Sequence, residues 1–249
     1  MNKLSKVLGT DVPLIAVGFD DTVSIQTVED VVKRGLDVAE LRIDLYSSSD
    51  EKYVLQEVKK FRHIPTVGTI RIKAEGGQWD LSEQERLSLF KAIISHVDSV
   101  DIELASKSII SDVIDTAHAA KKLVVISYHN FDRTPSLAEL NSIATRAKAL
   151  RADVIKVATH ARSQKDIQTL ASFTITNSDV RLVTIAMGAI GIVSRVFFPA
   201  IGSCITYAYA GTLTAPGQLH LDDMFELMRT MYPAFNQKKL VSLKILEFA

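Results

Sequence analysis

The 249 residues carry 29 Lys plus Arg against 29 Asp plus Glu, so the formal net charge is zero and the basic stripe of a nucleic-acid binder is missing. Hydrophobic residues make up 47%, enough for one large core. A single cysteine, Cys204, excludes an internal disulfide and a cysteine-rich zinc site.

Residues 1–11 lack the continuous apolar run of a signal peptide. From there, short β-rich runs alternate with longer amphipathic ones. Strands are predicted at 14–19, 38–44, 66–71, 99–104, 123–129, 154–159, 182–187 and 204–208. Between them, Ser82-Glu83-Gln84-Glu85 and Ser136-Leu137-Ala138-Glu139 fit the capping box, in which serine and glutamate satisfy free N–H groups at a helix start. Alternation of this kind implies parallel strands with crossover helices, and eight such units in about 250 residues suit an α/β fold of the (β/α)8 TIM-barrel type. An open doubly wound sheet competes, but its Gly-x-Gly-x-x-Gly turn after an early strand is not found. The stretch 189–210 is apolar enough to suggest a membrane span, yet Arg195, Pro199 and Gly202 interrupt it. The expectation is a soluble, cytoplasmic protein with one catalytic barrel over residues 1–236. Residues 237–249 follow as a tail with no assigned role.

Function in such a barrel sits at the C-terminal ends of the strands. The second strand places Glu40, Arg42 and Asp44 on one face, with apolar Leu41, Ile43 and Leu45 on the other, which aims the charges into the barrel. A structural ion pair would give the same pattern. The third strand ends in Arg71, followed by Glu75-Gly76-Gly77, a composition that suits an anion-binding loop and equally a solvated one. The fifth delivers His129 from an apolar run. The sixth carries Lys156 among Val154, Ile155, Val157 and Ala158, and lysine is rarely buried unless paired or used. Desolvation and nearby cations would lower its pKa and expose a nucleophilic amine. After the seventh strand Arg195 can clamp a carboxylate. After the eighth, Thr214 and Gln218 can bond substrate hydroxyls, unless that loop merely caps a helix.

The Glu-Leu-Arg-Ile-Asp run at 40–44, Thr69-Ile70-Arg71 with Glu75-Gly76-Gly77, Ser127-Tyr128-His129-Asn130-Phe131, Asp153 through Ala158, Met187-Gly188 with Ser194-Arg195, and Thr214-Ala215-Pro216-Gly217-Gln218 fall in order. Together they resemble type I 3-dehydroquinate dehydratase, from about Pro13 to Tyr232. The resemblance implies a cytoplasmic homodimer that dehydrates 3-dehydroquinate through a lysine Schiff base, with no metal, no cofactor, and no nucleic-acid or membrane partner. It implies Lys156 as the Schiff-base lysine, His129 as general acid/base and Glu75 as the carboxylate that positions it. Glu40, Arg42, Arg71, Arg195, Thr214 and Gln218 match substrate-binding positions. Gly18, Ile185 and Ile201 depart from the family pattern, where relatives carry a serine, a methionine and an aromatic. A class I aldolase-like barrel lyase and a non-catalytic metabolite-binding barrel are the rival readings.

Overall fold

A computed structural model describes residues 2–8, 12–211 and 217–235. The β-branched runs become strands β1 (Leu14–Phe19), β2 (Val38–Arg42), β3 (Thr66–Thr69), β4 (Ser99–Glu103), β5 (Leu123–Asn130), β6 (Val154–His160), β7 (Arg181–Met187) and β8 (Ile205–Tyr209). A two-residue strand β9 (Leu219–His220), not predicted from the sequence, follows. Helices α1 (Lys3–Val7), α2 (Ile25–Lys33), α3 (Glu51–Val58), α4 (Glu83–Ile93), α5 (Ile110–Ala119), α6 (Leu137–Ala149), α7 (Gln164–Thr176), α8 (Ser194–Phe197) and α9 (Leu221–Met231) accompany them. Both predicted capping boxes form, at α4 and α6, and a third forms at α7 from Ser163 and Asp166. Each such N-cap is worth about 1 kcal/mol.

The strands are all parallel, in the order β7-β6-β5-β4-β3-β2-β1-β8-β9. The ring closes between β7 and the residues leading into β8, through a bridge from Leu182 to Ser203 and a 2.8 Å bond from Cys204 N to Leu182 O. Ser203 Oγ adds to the seam by accepting from Thr184 N at 3.0 Å. Above this seam β8 parts from β7 and takes β9 as its neighbour, pairing Ala208 with Leu219 and Tyr209 with His220. That wedge brings Gln218 back over the C-terminal mouth of the barrel.

Period-two alternation divides the interior into layers. Leu14, Val38, Val67, Val125, Val154, Val183 and Ile205 form an apolar lower layer, and Leu4 and Leu8 from the α1 end pack against it as a plug. Two residues further along the same strands stand Glu40, Thr69, Ser127, Lys156 and Tyr207, with Asp101 on β4, so the next layer is mostly polar and charged, and only Ala16 on β1 and Ile185 on β7 are apolar among these successors. The apolar alternates, such as Leu41, Ile102, Ile126 and Ile155, face the helices.

Most predicted strand ends shift by one or two residues, and one shift moves a candidate site residue. The chain leaves β2 at Arg42 and enters a 3-10 turn, Ile43–Leu45, so Asp44 is not on the strand face where the alternation put it. The turn carries Asp44 round to meet Arg42 instead. The apolar stretch 189–210 is divided among the 3-10 turn Ala189–Val193, the four-residue α8, a second 3-10 turn at Phe198–Ile201, and β8. Among the described residues no helix is long and apolar enough to cross a membrane.

Candidate active site

Lys156 stands in the middle of β6 and points into the barrel, where it is buried. Its Nζ donates to Glu40 Oε1 at 2.8 Å and to Asp101 Oδ2 at 3.2 Å, and lies 4.4 Å from the centre of the Tyr207 ring. Burial lowers the Lys156 pKa, but attraction to Glu40 and Asp101 outweighs burial and the neighbouring Arg71, so the pKa is raised. The sequence-based expectation of a lowered pKa is therefore corrected for the free protein: two carboxylates reach the amine, and the cations do not dominate. Lys156 is stored as ammonium.

The charges continue in an alternating chain. Arg71 bonds Asp101 at 2.7 Å and Glu103 at 2.9 Å, and Arg86, wholly buried on α4, bonds Glu103 from the far side. Ser127 Oγ accepts from Arg71 and donates to Asp101, both at 2.6 Å. Each charge of this chain thus meets an opposite one, the condition under which a charged layer is tolerable inside a barrel.

His129, next to last on β5, lies two residues up the ladder from the level of Lys156, since Ser127 pairs with Lys156 and His129 with Ala158. Glu75 arrives on the 3-10 turn Lys73–Glu75, after β3. Its Oε2 accepts from both the backbone N–H and Nδ1 of His129, each at 2.9 Å. Burial, reinforced by Arg71 and Lys156, holds His129 well below the usual imidazole range, so the ring is neutral. Burial is also the main cause that pushes Glu75 up to about 7. With Glu75 ionised, Nδ1 carries the proton and Nε2 is left as a base. The loop can fold this way because of Gly77: a Cβ there would sit 2.0 Å from the Arg71 carbonyl oxygen.

Glu40, Arg42, Arg71, Glu75, His129, Lys156, Arg195 and Gln218, all proposed from sequence, line one cleft. Arg42 is held in bidentate fashion by Asp44, at 3.0 and 2.8 Å. Arg71 faces the cleft with its guanidinium occupied by Asp101, Glu103 and Ser127. Arg195 is 2% exposed, and burial brings its pKa down to about 10. Thr214 lies outside the described residues. Asp101, Glu103, Ser127, Tyr207 and Arg86 are further charged or polar members of this network that are not candidates on sequence grounds. A signal existed for two of them: Ser99-Val100-Asp101-Ile102-Glu103 alternates polar and apolar just as the flagged β2 does.

A family model for type I 3-dehydroquinase matches residues 14–234, a span that holds the nine strands of the described residues and every residue that lines the cleft. The chain belongs to the type I 3-dehydroquinase family. The 3-dehydroquinate dehydratase of Thermodesulfovibrio yellowstonii is 33% identical over 223 residues, 89% of this chain and 96% of its own. That of Methanocella arvoryzae is 34% identical, over 82% and 91%. The crystal structure of 3-dehydroquinate dehydratase from Geobacillus kaustophilus superposes with a TM-score of 0.83 at 31% identity, covering 88% of this chain and 91% of that one. The three positions where the resemblance implies departures from the type I 3-dehydroquinase pattern lie in different places. Ile185 lines the cleft beside Met187. Gly18 lines an adjoining groove that shares Arg42 and Gly76 with the cleft. Ile201 packs against the core and is no part of the cleft wall.

Proposed function

We propose that this chain removes water from 3-dehydroquinate to give 3-dehydroshikimate, as a hydro-lyase of the shikimate route to aromatic amino acids. The observation that carries this reading is the placement of Lys156 and His129 on neighbouring strands in one cleft, the amine against two carboxylates and the imidazole fixed by Glu75.

The leaving hydroxyl of this substrate is β to a ketone. Arg195 and Arg42 take the substrate carboxylate, and Gln218 and Thr214 the ring hydroxyls. Attack needs a neutral amine, and Glu40, at 2.8 Å, is the nearest base to Lys156 Nζ. The amine adds to the ketone carbon, and the carbonyl oxygen leaves as water with protons shuttled by His129. The resulting iminium is an electron sink that acidifies the adjacent C–H. His129 Nε2 takes that proton and an enamine forms. The enamine electrons expel the β-hydroxyl, which His129 protonates on the same face, giving syn elimination. Water then hydrolyses the product imine and frees Lys156. No step calls for a metal or a redox cofactor.

Borohydride reduction in the presence of 3-dehydroquinate tests this. A mass adduct on the Lys156 peptide is expected, with loss of activity. No adduct together with no dehydration sinks the reading, and an adduct without dehydration favours an aldolase-like enzyme or a binding barrel. The proposal extends to a catalytic unit of residues 1–236 and to a cytoplasmic homodimer, as the family resemblance implies. Sedimentation of the purified protein tests the dimer.

A further inference from the structure

The end of β5 grips the turn after β3 at two consecutive points. His129 holds Glu75 through two hydrogen bonds to one carboxylate oxygen, each 2.9 Å. Two residues on, the Phe131 ring lies against Gly76, where a Cβ would stand 2.4 Å from Phe131 Cζ and 2.6 Å from Cε2. Gly76 has φ of +81°, the left-handed conformation that ends the Lys73–Glu75 turn. The ring therefore fills the space that a side chain at 76 would take.

Phe131 is not placed there by burial, because it stays 43% exposed. Local bonds aim it. Asn130 Oδ1 accepts from the backbone N–H of Asp132 and of Arg133, both at 2.9 Å, and Asn130 Nδ2 donates to the Tyr128 hydroxyl at 3.1 Å. This side-chain turn fixes the backbone on either side of Phe131. An apolar ring held at the mouth of a cleft, against a glycine adjoining the base-orienting carboxylate, is placed to restrain that carboxylate.

We infer that Phe131 is a positioning residue that pins the Glu75–Gly76 turn and so keeps Glu75 registered on His129. The inference rests on the dehydratase reading for its kinetic form. Its structural form, the ring acting on Glu75 through Gly76, stands apart from it. Without the ring the turn gains freedom, the Glu75–His129 bonds lengthen part of the time, and the imidazole samples the wrong tautomer and orientation.

The test compares Phe131→Ala, Phe131→Tyr, Glu75→Gln and the Phe131→Ala/Glu75→Gln double variant, with thermal unfolding as the folding control. For Phe131→Ala, kcat is expected to fall about tenfold with KM changed less than about threefold, a fraction of the range for a general base. The acid limb of its pH profile should move, and Phe131→Tyr should restore both. In the double variant, Phe131→Ala should add less than about twofold to the loss from Glu75→Gln, since the two act through one contact. Independent losses that multiply would overturn the inference. So would a rise in KM alone with an unmoved pH profile, which would make the ring merely a wall of the cleft. Proton–nitrogen NMR of the substrate-free protein reads the same contact without turnover. The His129 Nδ1–H signal should broaden or shift upfield in Phe131→Ala, and an unaltered signal refutes the inference even if 3-dehydroquinate proves not to be the substrate.

Discussion

Lys156 and Glu40 face one another across the barrel, Nζ to Oε1 2.8 Å, from strands β6 and β2 that share no edge. The amine proposed as nucleophile is therefore held as a cation by the carboxylate best placed to relieve it of its proton. On that proposal, turnover depends on what substrate does to this pair, and not on a permanently neutral amine.

Replacing Glu40 tests that arrangement. Glu40→Gln removes the first of the charges that raise the Lys156 pKa and leaves Asp101 as the remaining carboxylate. Acylation of Lys156 in the free protein, followed by peptide mass spectrometry across pH, should show a midpoint shifted downward in Glu40→Gln. An unmoved midpoint would mean that Glu40 does not control the amine.

The Glu75–His129 pair sets the expected pH dependence. Below about pH 7 Glu75 gains a proton and donates it toward His129 Nδ1, which places the ring proton on Nε2 and blocks base action. Activity should therefore rise with pH through about 7. Glu75→Gln can still accept both His129 donors, so it should keep reduced turnover but lose that limb. A kcat/KM profile retaining the limb in Glu75→Gln would assign it to another group.

The same group makes a stability prediction of definite sign. The folded-state pKa of Glu75 is raised, so its contribution is fully present below the ordinary carboxylate range and is lost as pH rises through about 7. The ionised form then costs up to about 3 kcal/mol. Glu75→Gln should raise the unfolding free energy at pH 8 and leave it nearly unchanged at pH 4. Equal effects at both pH values would contradict this.

Arg195 is almost wholly buried on the cleft wall. Losing a charge-assisted carboxylate contact costs about 2–5 kcal/mol, so Arg195→Ala should raise KM by one to several powers of ten. Arg195→Lys should recover only part, because the ammonium lacks the planar fork. Steady-state kinetics with unchanged KM in Arg195→Ala would remove it from carboxylate binding.

Arg86 lies outside the cleft, yet it neutralises Glu103 where both are fully buried. Arg86→Met leaves that carboxylate with one cationic partner fewer, and breaking a buried pair costs about 3–5 kcal/mol. Urea unfolding should show a loss of that order, with Arg86→Lys intermediate. A change under about 1 kcal/mol would mean that the charged layer tolerates the gap.

Local signals in the sequence carried much of this protein. Strand and helix alternation is written in period-two and capping patterns, which depend only on neighbours along the chain, and so Ser82 and Ser136 were readable as helix starts. Lys156 and His129 are legible because a charged or titratable residue stands out within an apolar strand or near its end. What tertiary structure decided is every property that arises across the barrel. Glu40 and Lys156 are 116 residues apart, and only ring closure puts them in contact. That contact reverses the direction of the lysine pKa expected from burial and nearby arginines, because Coulomb attraction depends on distances the chain order does not contain. The same holds for Arg71, legible as a substrate ligand but tied to Asp101 and Glu103 on the next strand, and for Arg86, which looks like an ordinary helix residue until α4 docks behind Glu103.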